Sequence, residues 1–153
     1  MPVAKTITDG YRSITPYLVV QGALEAIEFY KKAFGAIEVL RLRLPNGQLG
    51  HAELKIGDSP IMLSDEAPEW DARSPQSIGG SPVTISLYVD DVDSVVPTAV
   101  AAGAKLVRPI ADQFYGDRSA ALEDPFGHKW HVATHKEDMT PAEMQRRFDA
   151  LMG

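Results

Sequence analysis

The sequence contains one pattern twice, and this internal repeat constrains the fold more than any other feature. A shift of 69 residues places Thr15 on Thr84, and it places the stretch GDSPIML (57–63) on FGHKWHV (126–132). A shift of 68 residues places AFGAIEVL (33–40) on AAGAKLVR. The repeat therefore predicts a chain built from two copies of one supersecondary unit.

The first copy has the periodicities of a strand, a helix and three more strands. β-Branched and aromatic residues dominate SITPYLVV, whereas apolar residues recur at helical spacing in ALEAIEFYKKAF, which ends before Gly35. Period-two alternation on both sides of a Pro-Asn-Gly-Gln turn predicts a hairpin. The predicted elements are a strand over 13–20, a helix over 23–34, and strands over 36–44, 49–56 and 60–64.

The second copy predicts the same order of elements, followed by a short helix. Pro97 interrupts the helical pattern and is expected near the first turn or at a kink, because proline lacks the N–H of a helix interior. Thr140 has the position of an N-cap, with Pro141 as the first helical residue. The predicted elements are a strand over 82–90, a helix over 92–103, strands over 104–110, 117–123 and 128–134, and a C-terminal helix over about 140–151.

The length of 153 residues is typical of one domain, so residues 1–153 are predicted to form a single domain. Module one is expected at about 11–64 and module two at about 82–135. Between them, residues 65–81 contain two prolines and a Gly-Gly pair without a sustained period, which predicts a loop. A connection of this length is either a plain linker or a lid over a binding site.

Composition excludes several classes of function. The 15 Lys and Arg residues against 21 Asp and Glu residues give a net charge of −6, which disfavours binding to nucleic acid or to an anionic membrane. The chain has no cysteine, and no apolar run approaches the ~18 residues of a membrane span. It also lacks a phosphate-binding glycine loop and the sequence context of a Ser-His-Asp triad. We therefore expect a cytoplasmic protein with no nucleic-acid or membrane partner.

Two motifs and the repeat together resemble a known superfamily. YLVVQGALEAIEFYKKAFGA in the first copy and FYGDRSAALEDPFGHKW in the second are similar to the vicinal oxygen chelate superfamily, which includes glyoxalase I, extradiol dioxygenases, fosfomycin-resistance enzymes and bleomycin-resistance proteins. The resemblance covers about residues 11–135, and HAELKIGDSPIMLSDE is most similar to the uncharacterised PhnB-like, glyoxalase/bleomycin-resistance branch. It implies an α+β fold of two tandem βαβββ modules with curved mixed sheets that form a cleft, plus the C-terminal helix.

The resemblance also implies where a divalent metal would bind. In enzymes of the superfamily the ligands lie on the first and last strand of each unit, which here corresponds to Thr15 and Met62 in one copy and to Thr84 and His131 in the other. Hard divalent metals prefer imidazole and carboxylate ligands, whereas three of these four side chains are hydroxyls or a thioether. We therefore predict no metal at these positions and no other cofactor.

Side-chain alternation predicts which face of each sheet lines the cleft. Apolar residues such as Leu54 and Val132 are expected to face the helices, and the residues between them to face the concave side. The predicted concave set is Thr15, Tyr17, His51, Glu53, Met62, Thr84, Ser86, Tyr88, Arg118, Ala120 and His131. Within it, the predicted ligand-binding residues are Tyr17, His51, Thr84, Tyr88, Arg118 and His131. Arg118 would bind an anionic group of the ligand or form a structural ion pair.

His51 and Glu53 are the candidate catalytic residues, because residues two apart on a strand point to one face. They could form a general-base pair. With His131 they could also form a non-standard metal site, although no sequence motif supports it. The alternative for Glu53 is an ordinary solvated position on an exposed sheet face.

The sequence thus favours a small-molecule-binding protein of the glyoxalase/bleomycin-resistance type that lacks the standard metal site. One alternative is a metal-dependent glyoxalase-like lyase or isomerase with a non-standard metal site. Another is a non-catalytic partner-binding protein. The expected ligand is a small organic molecule. Because members of the family often pair their units across two chains, the resemblance also predicts a homodimer.

Overall fold

Two four-stranded mixed sheets organise the chain, one in each half. The computed structural model describes residues 3–153 and divides the chain into a first unit that ends at Gly80 and a second unit that spans Ser81–Gly153. The order of elements confirms the predicted α+β fold of two βαβββ units with a C-terminal helix. No helix among residues 3–153 is long and apolar enough to cross a membrane.

The first unit follows the predicted order. Its elements are β1 (Tyr17–Val20), α1 (Ala23–Phe34), β2 (Ile37–Arg43), β3 (Leu49–Ile56), β4 (Ser59–Asp65), a 3₁₀ turn (Pro68–Trp70) and α2 (Pro75–Ile78). The strand order in the sheet is β1-β4-β3-β2. β1 and β4 are parallel, and the other neighbours are antiparallel.

Alternation along these strands gives the first sheet one apolar face and one polar face. The apolar side chains are buried and share their side of the sheet with α1, since burying them removes apolar surface from water. They include Leu18, Val20, Ala52, Leu54, Ile61 and Leu63. On the opposite face Met62 lies beside both Tyr17 and Glu53, because it is the register partner of each.

The second unit has the same topology. Its elements are β5 (Thr84–Tyr88), α3 (Val92–Ala101), β6 (Lys105–Asp112), β7 (Asp117–Glu123), β8 (Lys129–His135) and α4 (Pro141–Met152). The strand order is β5-β8-β7-β6. Ser86 pairs with His131 as Tyr17 pairs with Met62, so the 69-residue repeat in the sequence corresponds to equivalent positions in the two sheets.

Both units begin their main helix against a side chain of the last strand. Asp65 accepts hydrogen bonds from the backbone N–H groups of Gly22 (3.1 Å) and Ala23 (2.8 Å) at the start of α1. Thr134, at the equivalent position of the second unit, accepts one from the N–H of Val92 (2.8 Å) at the start of α3. The first N–H groups of a helix have no partner within it, so these contacts fix where each helix starts.

Residues 65–81 differ from the predicted loop, because they contain the 3₁₀ turn and α2. Ser74 caps α2 by accepting a hydrogen bond from the N–H of Ser77 (3.3 Å), and Pro75 follows as the first helical residue. Glu66 in turn accepts a hydrogen bond from the N–H of Ser74 (2.6 Å). Hydrogen bonds from Ser74 and Ser77 lower the pKa of Glu66 to about 2, so an ionised carboxylate holds this segment against the end of β4.

Two further predictions need correction. The strand predicted over 13–20 is shorter because Pro16 precedes it and has no N–H to donate to the ladder, although its carbonyl accepts from Met62 (3.0 Å). Pro97 lies inside α3, at the sixth helical residue, so its placement near the first turn is wrong, whereas the alternative of a kink stays a prediction. The predicted N-cap of the C-terminal helix is confirmed, since the Thr140 hydroxyl accepts a hydrogen bond from the N–H of Glu143 (3.2 Å).

Candidate functional site

Four side chains on the polar face of the first sheet form a continuous chain of hydrogen bonds. The Tyr17 hydroxyl lies 2.8 Å from Nδ1 of His51, and Nε2 of His51 lies 2.7 Å from Oε2 of Glu53. The Tyr11 hydroxyl donates to the other carboxylate oxygen, Oε1 of Glu53. The strands thus bring together three residues predicted from the sequence, Tyr17, His51 and Glu53, and the segment before β1 adds Tyr11.

The hydrogen bonds set the charge at one end of this chain. Those from Tyr11 and His51 lower the pKa of Glu53, so its carboxylate is ionised at neutral pH. Burial, together with the bond to Glu53, raises the pKa of Tyr11 to about 12, so its phenol keeps its proton. Tyr11 is therefore a fixed donor, and Glu53 is a fixed acceptor.

The ionised carboxylate also determines the tautomer of His51. Nε2 must carry a hydrogen to bond Glu53, so in the neutral imidazole Nδ1 is an acceptor. Tyr17 then donates its single hydroxyl hydrogen to Nδ1. The side chains of His51 and Glu53 are only 24% and 16% exposed, whereas Tyr17 is 47% exposed, so Tyr17 forms the solvent-facing end of the chain.

A cleft of about 500 Å³ opens beside the part-buried end of this hydrogen-bonded chain, where Tyr11 contacts Glu53. Tyr11 and Glu53 contribute to its wall, together with Met62 and several hydroxyl groups, and Arg12 supplies a positive charge. The hydroxyl residues in the wall are Thr6, Thr8, Ser13 and Thr15. This mixture of an apolar thioether, hydroxyls and two opposite charges suits a small polar organic molecule.

The corresponding face of the second sheet has a different set of polar groups. Nε2 of His131 lies 3.2 Å from the Tyr115 hydroxyl, and its Nδ1 lies 3.4 Å from Oγ of Ser86. A cleft of about 730 Å³ on this face is lined by His131, Ser86 and Thr84, with Glu123 also in its wall. Thr84 and His131, two of the predicted ligand-binding residues, therefore share one cleft of the second unit.

Tyr88 belongs to a separate cluster at the end of the same face. Its hydroxyl donates to Asp117 (2.6 Å), whose other oxygen lies 2.7 Å from Nδ1 of His135. Nε2 of His135 lies 2.6 Å from Asp138. These two carboxylates raise the pKa of His135, and the bond to Asp117 raises that of Tyr88.

Arg118 and Ala120 do not lie where alternation predicted. Ala121 pairs with His131 across β7 and β8, so the residues on either side of it, Ala120 included, point to the opposite face, which packs against α3. Arg118 shares that face, and there its guanidinium forms two 2.9 Å hydrogen bonds with Asp93 of α3 and a third with Asp112 (3.2 Å). The expected common face of Arg118 and His131 is therefore wrong, since the predicted alternation along β7 was shifted by one residue.

Sequence reasoning missed Tyr11, Tyr115 and the His135–Asp117 pair. Tyr11 lies in a segment without regular periodicity, and its contact with Glu53 spans 42 residues. Tyr115 lies between β6 and β7, so strand alternation could not orient it. The one available signal was the four-residue spacing of His131 and His135 along β8, which places both side chains on one face.

Comparison with known proteins identifies the family. The profile of the Glyoxalase/Bleomycin resistance protein/Dioxygenase superfamily matches residues 13–132. The chain belongs to this superfamily. An uncharacterized protein of Mycobacterium tuberculosis is 42% identical over 136 residues, which cover 87% of this chain and 80% of that protein.

Solved structures agree with this assignment. The crystal structure of an Arabidopsis thaliana gene product superposes with a TM-score of 0.65 at 31% identity, covering 80% of this chain and 98% of that chain. The PhnB protein from Bacillus cereus has a TM-score of 0.63 at 18% identity, covering 80% and 99%, and therefore shares the fold. The resemblance to the PhnB-like branch is thus supported at the level of architecture.

The residues present do not fit the metal site that the superfamily implies. Met62 and His131 occupy equivalent positions on β4 and β8, but a thioether is a soft ligand, and Thr15 and Thr84 offer neutral hydroxyls. Within residues 3–153, no group of three or more His, Asp or Glu side chains is placed to hold a metal ion. Of the proposed non-standard set, both ring nitrogens of His51 already contact Tyr17 and Glu53.

Proposed function

We propose that this protein binds a small organic molecule on the polar face of its first sheet, without a metal at the superfamily's usual positions. The observation that carries this proposal is the cleft of about 500 Å³ that shares Glu53 and Tyr11 with the hydrogen-bonded chain. Arg12 in the wall suits a ligand with an acidic or electron-rich group. We further propose that the protein acts in the cytoplasm.

A prearranged polar network is what gives this face its binding capacity. Tyr11, Glu53 and His51 hold one another in place by hydrogen bonds within the protein, so a ligand does not have to order them. Tyr17 at the exposed end offers an aromatic ring, whose centroid lies 5.5 Å from that of His51. An exposed aromatic group next to fixed polar groups is typical of residues that dominate binding energy.

The experiment is a ligand-observed NMR screen of small phenols, aromatic acids and aromatic amines, followed by affinity measurement on variants. His51→Ala is expected to weaken the best ligand at least about tenfold, a change of 1.4 kcal/mol. The matched control is Glu28→Ala on α1, which packs on the other side of the sheet and should leave affinity unchanged. Equal weakening by both variants, or no effect of His51→Ala, would refute the proposed location.

The same assay separates the first unit from the second. Thr84, Tyr88 and His131 stay predicted ligand contacts, whereas Arg118 is held by Asp93 and Asp112 on the other face. If His131→Ala weakens the ligand and His51→Ala does not, the ligand binds in the second unit. If both variants weaken the ligand, the assignment of the site to the first unit alone is wrong.

The metal-dependent alternative, a glyoxalase-like lyase or isomerase, makes an opposite prediction. A bound metal stabilises the folded state, so chelators would lower its melting temperature. We expect purified, untagged protein to contain well under one equivalent of divalent metal and to melt at the same temperature with and without chelator. Near-stoichiometric metal that depends on His51 or His131 would replace the present proposal with the enzyme.

We also propose that the protein is a homodimer. The edge strands β2 and β6 carry exposed apolar side chains, of which Val39 is 60% and Val107 is 55% exposed. Exposed apolar edge strands favour association with a second copy. Sedimentation at micromolar concentration should give the mass of two chains, and a monomer would refute this part of the proposal.

A further inference from the structure

We propose that the Tyr17–His51–Glu53 chain is a metal-free proton acceptor, which binds an aromatic molecule through an acidic hydroxyl and holds it as its oxyanion. The inference rests on the proposed function, because it identifies the chemical class of the ligand on the same polar face. It places the ligand's hydroxyl at the exposed Tyr17 end of the hydrogen-bonded chain, outside the cleft wall to which Tyr11 and Glu53 contribute. It follows from the direction of the hydrogen bonds between these three side chains.

The direction of the bonds determines what Tyr17 can still bind. In the neutral form of His51, the only hydroxyl hydrogen of Tyr17 is donated to Nδ1 of that ring, because Nε2 carries the single ring hydrogen that bonds Glu53. The exposed Tyr17 oxygen therefore has lone pairs available but no hydrogen. It is an acceptor, and its complement is a ligand that donates, such as a phenol or enol O–H.

The hydrogen-bonded chain of Tyr17, His51 and Glu53 also provides a route for the proton. The ligand's O–H bond breaks as its hydrogen moves to the Tyr17 oxygen, and the former Tyr17 hydrogen moves to Nδ1 of His51. The ligand becomes an oxyanion, Tyr17 is again a neutral phenol, and His51 becomes an imidazolium. No proton leaves the complex, and no oxidant, reductant or metal is required.

Glu53 stabilises the product of this transfer. Its carboxylate lies 2.7 Å from Nε2 of His51, so the new positive charge on the imidazole has an ionised partner in a part-buried position. Tyr11 donates to the other oxygen and keeps the carboxylate oriented. An imidazole held by a carboxylate on one nitrogen and facing a hydroxyl on the other has the arrangement of a general base.

The second sheet has the same backbone but lacks this arrangement. Ala121 occupies the position equivalent to Glu53, since each is the partner of Met62 or His131 on the neighbouring strand. Both ring nitrogens of His131 contact hydroxyls, those of Tyr115 and Ser86. Proton uptake by His131 would leave an imidazolium without a hydrogen-bonded carboxylate, so we assign the proton acceptor to the first unit alone.

The test uses 4-nitrophenol as probe, because its phenol and phenolate forms absorb at different wavelengths. At a pH where the free probe is mostly the neutral phenol, the probe bound to the full chain should absorb as the phenolate. The oxyanion next to a cation is favoured by about one pKa unit or more, a tenfold or larger shift in its ionisation. Tyr17→Phe and His51→Gln should abolish the phenolate band and weaken binding about tenfold, whereas His128→Gln should do neither.

Calorimetry distinguishes the relay from simple attraction by Arg12. If the proton stays on His51, the binding enthalpy is the same in buffers of different ionisation enthalpy. A phenolate band with a buffer-dependent enthalpy would mean that the proton is released to solvent, and would overturn the relay. A bound probe that stays a phenol would also overturn it.

The remaining outcomes separate this inference from the proposed function. No binding of 4-nitrophenol overturns the assignment of acidic hydroxyl compounds as ligands. If another aromatic ligand from the NMR screen still depends on His51, the proposed function stands without the relay. If no screened ligand binds this face, both fail.

Discussion

The two units share a backbone plan, but they place their ionisable side chains on different strands. In the first unit the histidine of the polar face lies on β3 at His51, next to Glu53, and the last strand carries Met62. In the second unit the last strand carries His131, and its partner on β7 is Ala121. The buried apolar alternation maintains the fold in both units, so the polar faces are free to differ in chemistry.

The same comparison holds at the starts of the two main helices. Asp65 and Thr134 occupy equivalent positions, and both receive hydrogen bonds from N–H groups of the first turn. Asp65 is a carboxylate that accepts three backbone hydrogen bonds, including one from Leu49 (2.8 Å). Thr134 accepts one and donates one, to the carbonyl of Val89 (2.9 Å). Both helices need an acceptor for N–H groups at their start. An aspartate that accepts three hydrogen bonds fills this role in the first unit, and a threonine that accepts one fills it in the second.

The largest effect is expected for Asp65→Ala. Three backbone N–H groups on two elements lose a charged acceptor, so the free energy of unfolding should fall by about 4 kcal/mol. Urea denaturation measures the loss, and hydrogen exchange should show faster exchange in α1 than in α3. The control is Asp58→Ala in the exposed turn before β4, and an Asp65→Ala loss no larger than the control's would contradict the capping role.

A smaller effect is expected for Thr134→Val. The N–H of Val92 and the carbonyl of Val89 lose their partner while the side-chain shape is kept, which should cost about 2 kcal/mol. Faster exchange should now appear in α3 rather than in α1. Thr98→Val, which removes an exposed hydroxyl bond to Ser94, is the matched control. If the free energy of unfolding falls as much as in Asp65→Ala, Thr134 and Asp65 stabilise their units equally, contrary to this prediction.

The fold was predictable because the repeat and the apolar alternation are local properties of the sequence. Periodicity identified α1 and the hairpin strands, and the 69-residue shift correctly paired Met62 with His131. It did not identify the short helix after Ser74, since a four-residue helix is too short to show a period.

The site was predictable only where side chains lie on regular strands of correct register. Tyr17, His51 and Glu53 were assigned to one face because each lies on a strand that alternates without interruption around it. For β7 the small residues Ser119, Ala120 and Ala121 give no hydrophobic contrast, so the predicted face of Arg118 was wrong. Glu123, two residues after Ala121, lies on the same face as His131 and lines its cleft. Tyr11 depends on a long-range contact that no local pattern encodes.

The ionisable groups on the two polar faces predict opposite pH dependences of stability. In the first unit, stability should fall as the pH becomes acidic. The pKa of Glu53 is lowered in the folded state, so its stabilising contribution is present above the ordinary value of about 4.3 and is lost as pH falls through the folded value. Glu53→Gln should flatten this acid limb of urea stability. Tyr11→Phe should flatten it partly, because it removes the bond that lowers the pKa most. An unchanged limb in Glu53→Gln would show that Glu53 is not the titrating group.

The smallest effect on stability is expected in the second unit, where stability should fall as the pH rises rather than as it falls. The pKa of His135 is raised by Asp117 first and Asp138 second, so its contribution is complete below about pH 6.5, the ordinary value, and is lost as pH rises through the folded value. The imidazole is half-exposed, so solvent and salt screen these ion pairs and the limb should be shallow and weaker in high salt. His135→Gln should remove it from urea stability measured between pH 6 and 8, whereas His128→Gln in the turn before β8 should keep it. If hydrogen exchange instead shows this limb in the first unit, it arises from a group other than His135, and the division of acid and neutral sensitivity between the two units is wrong.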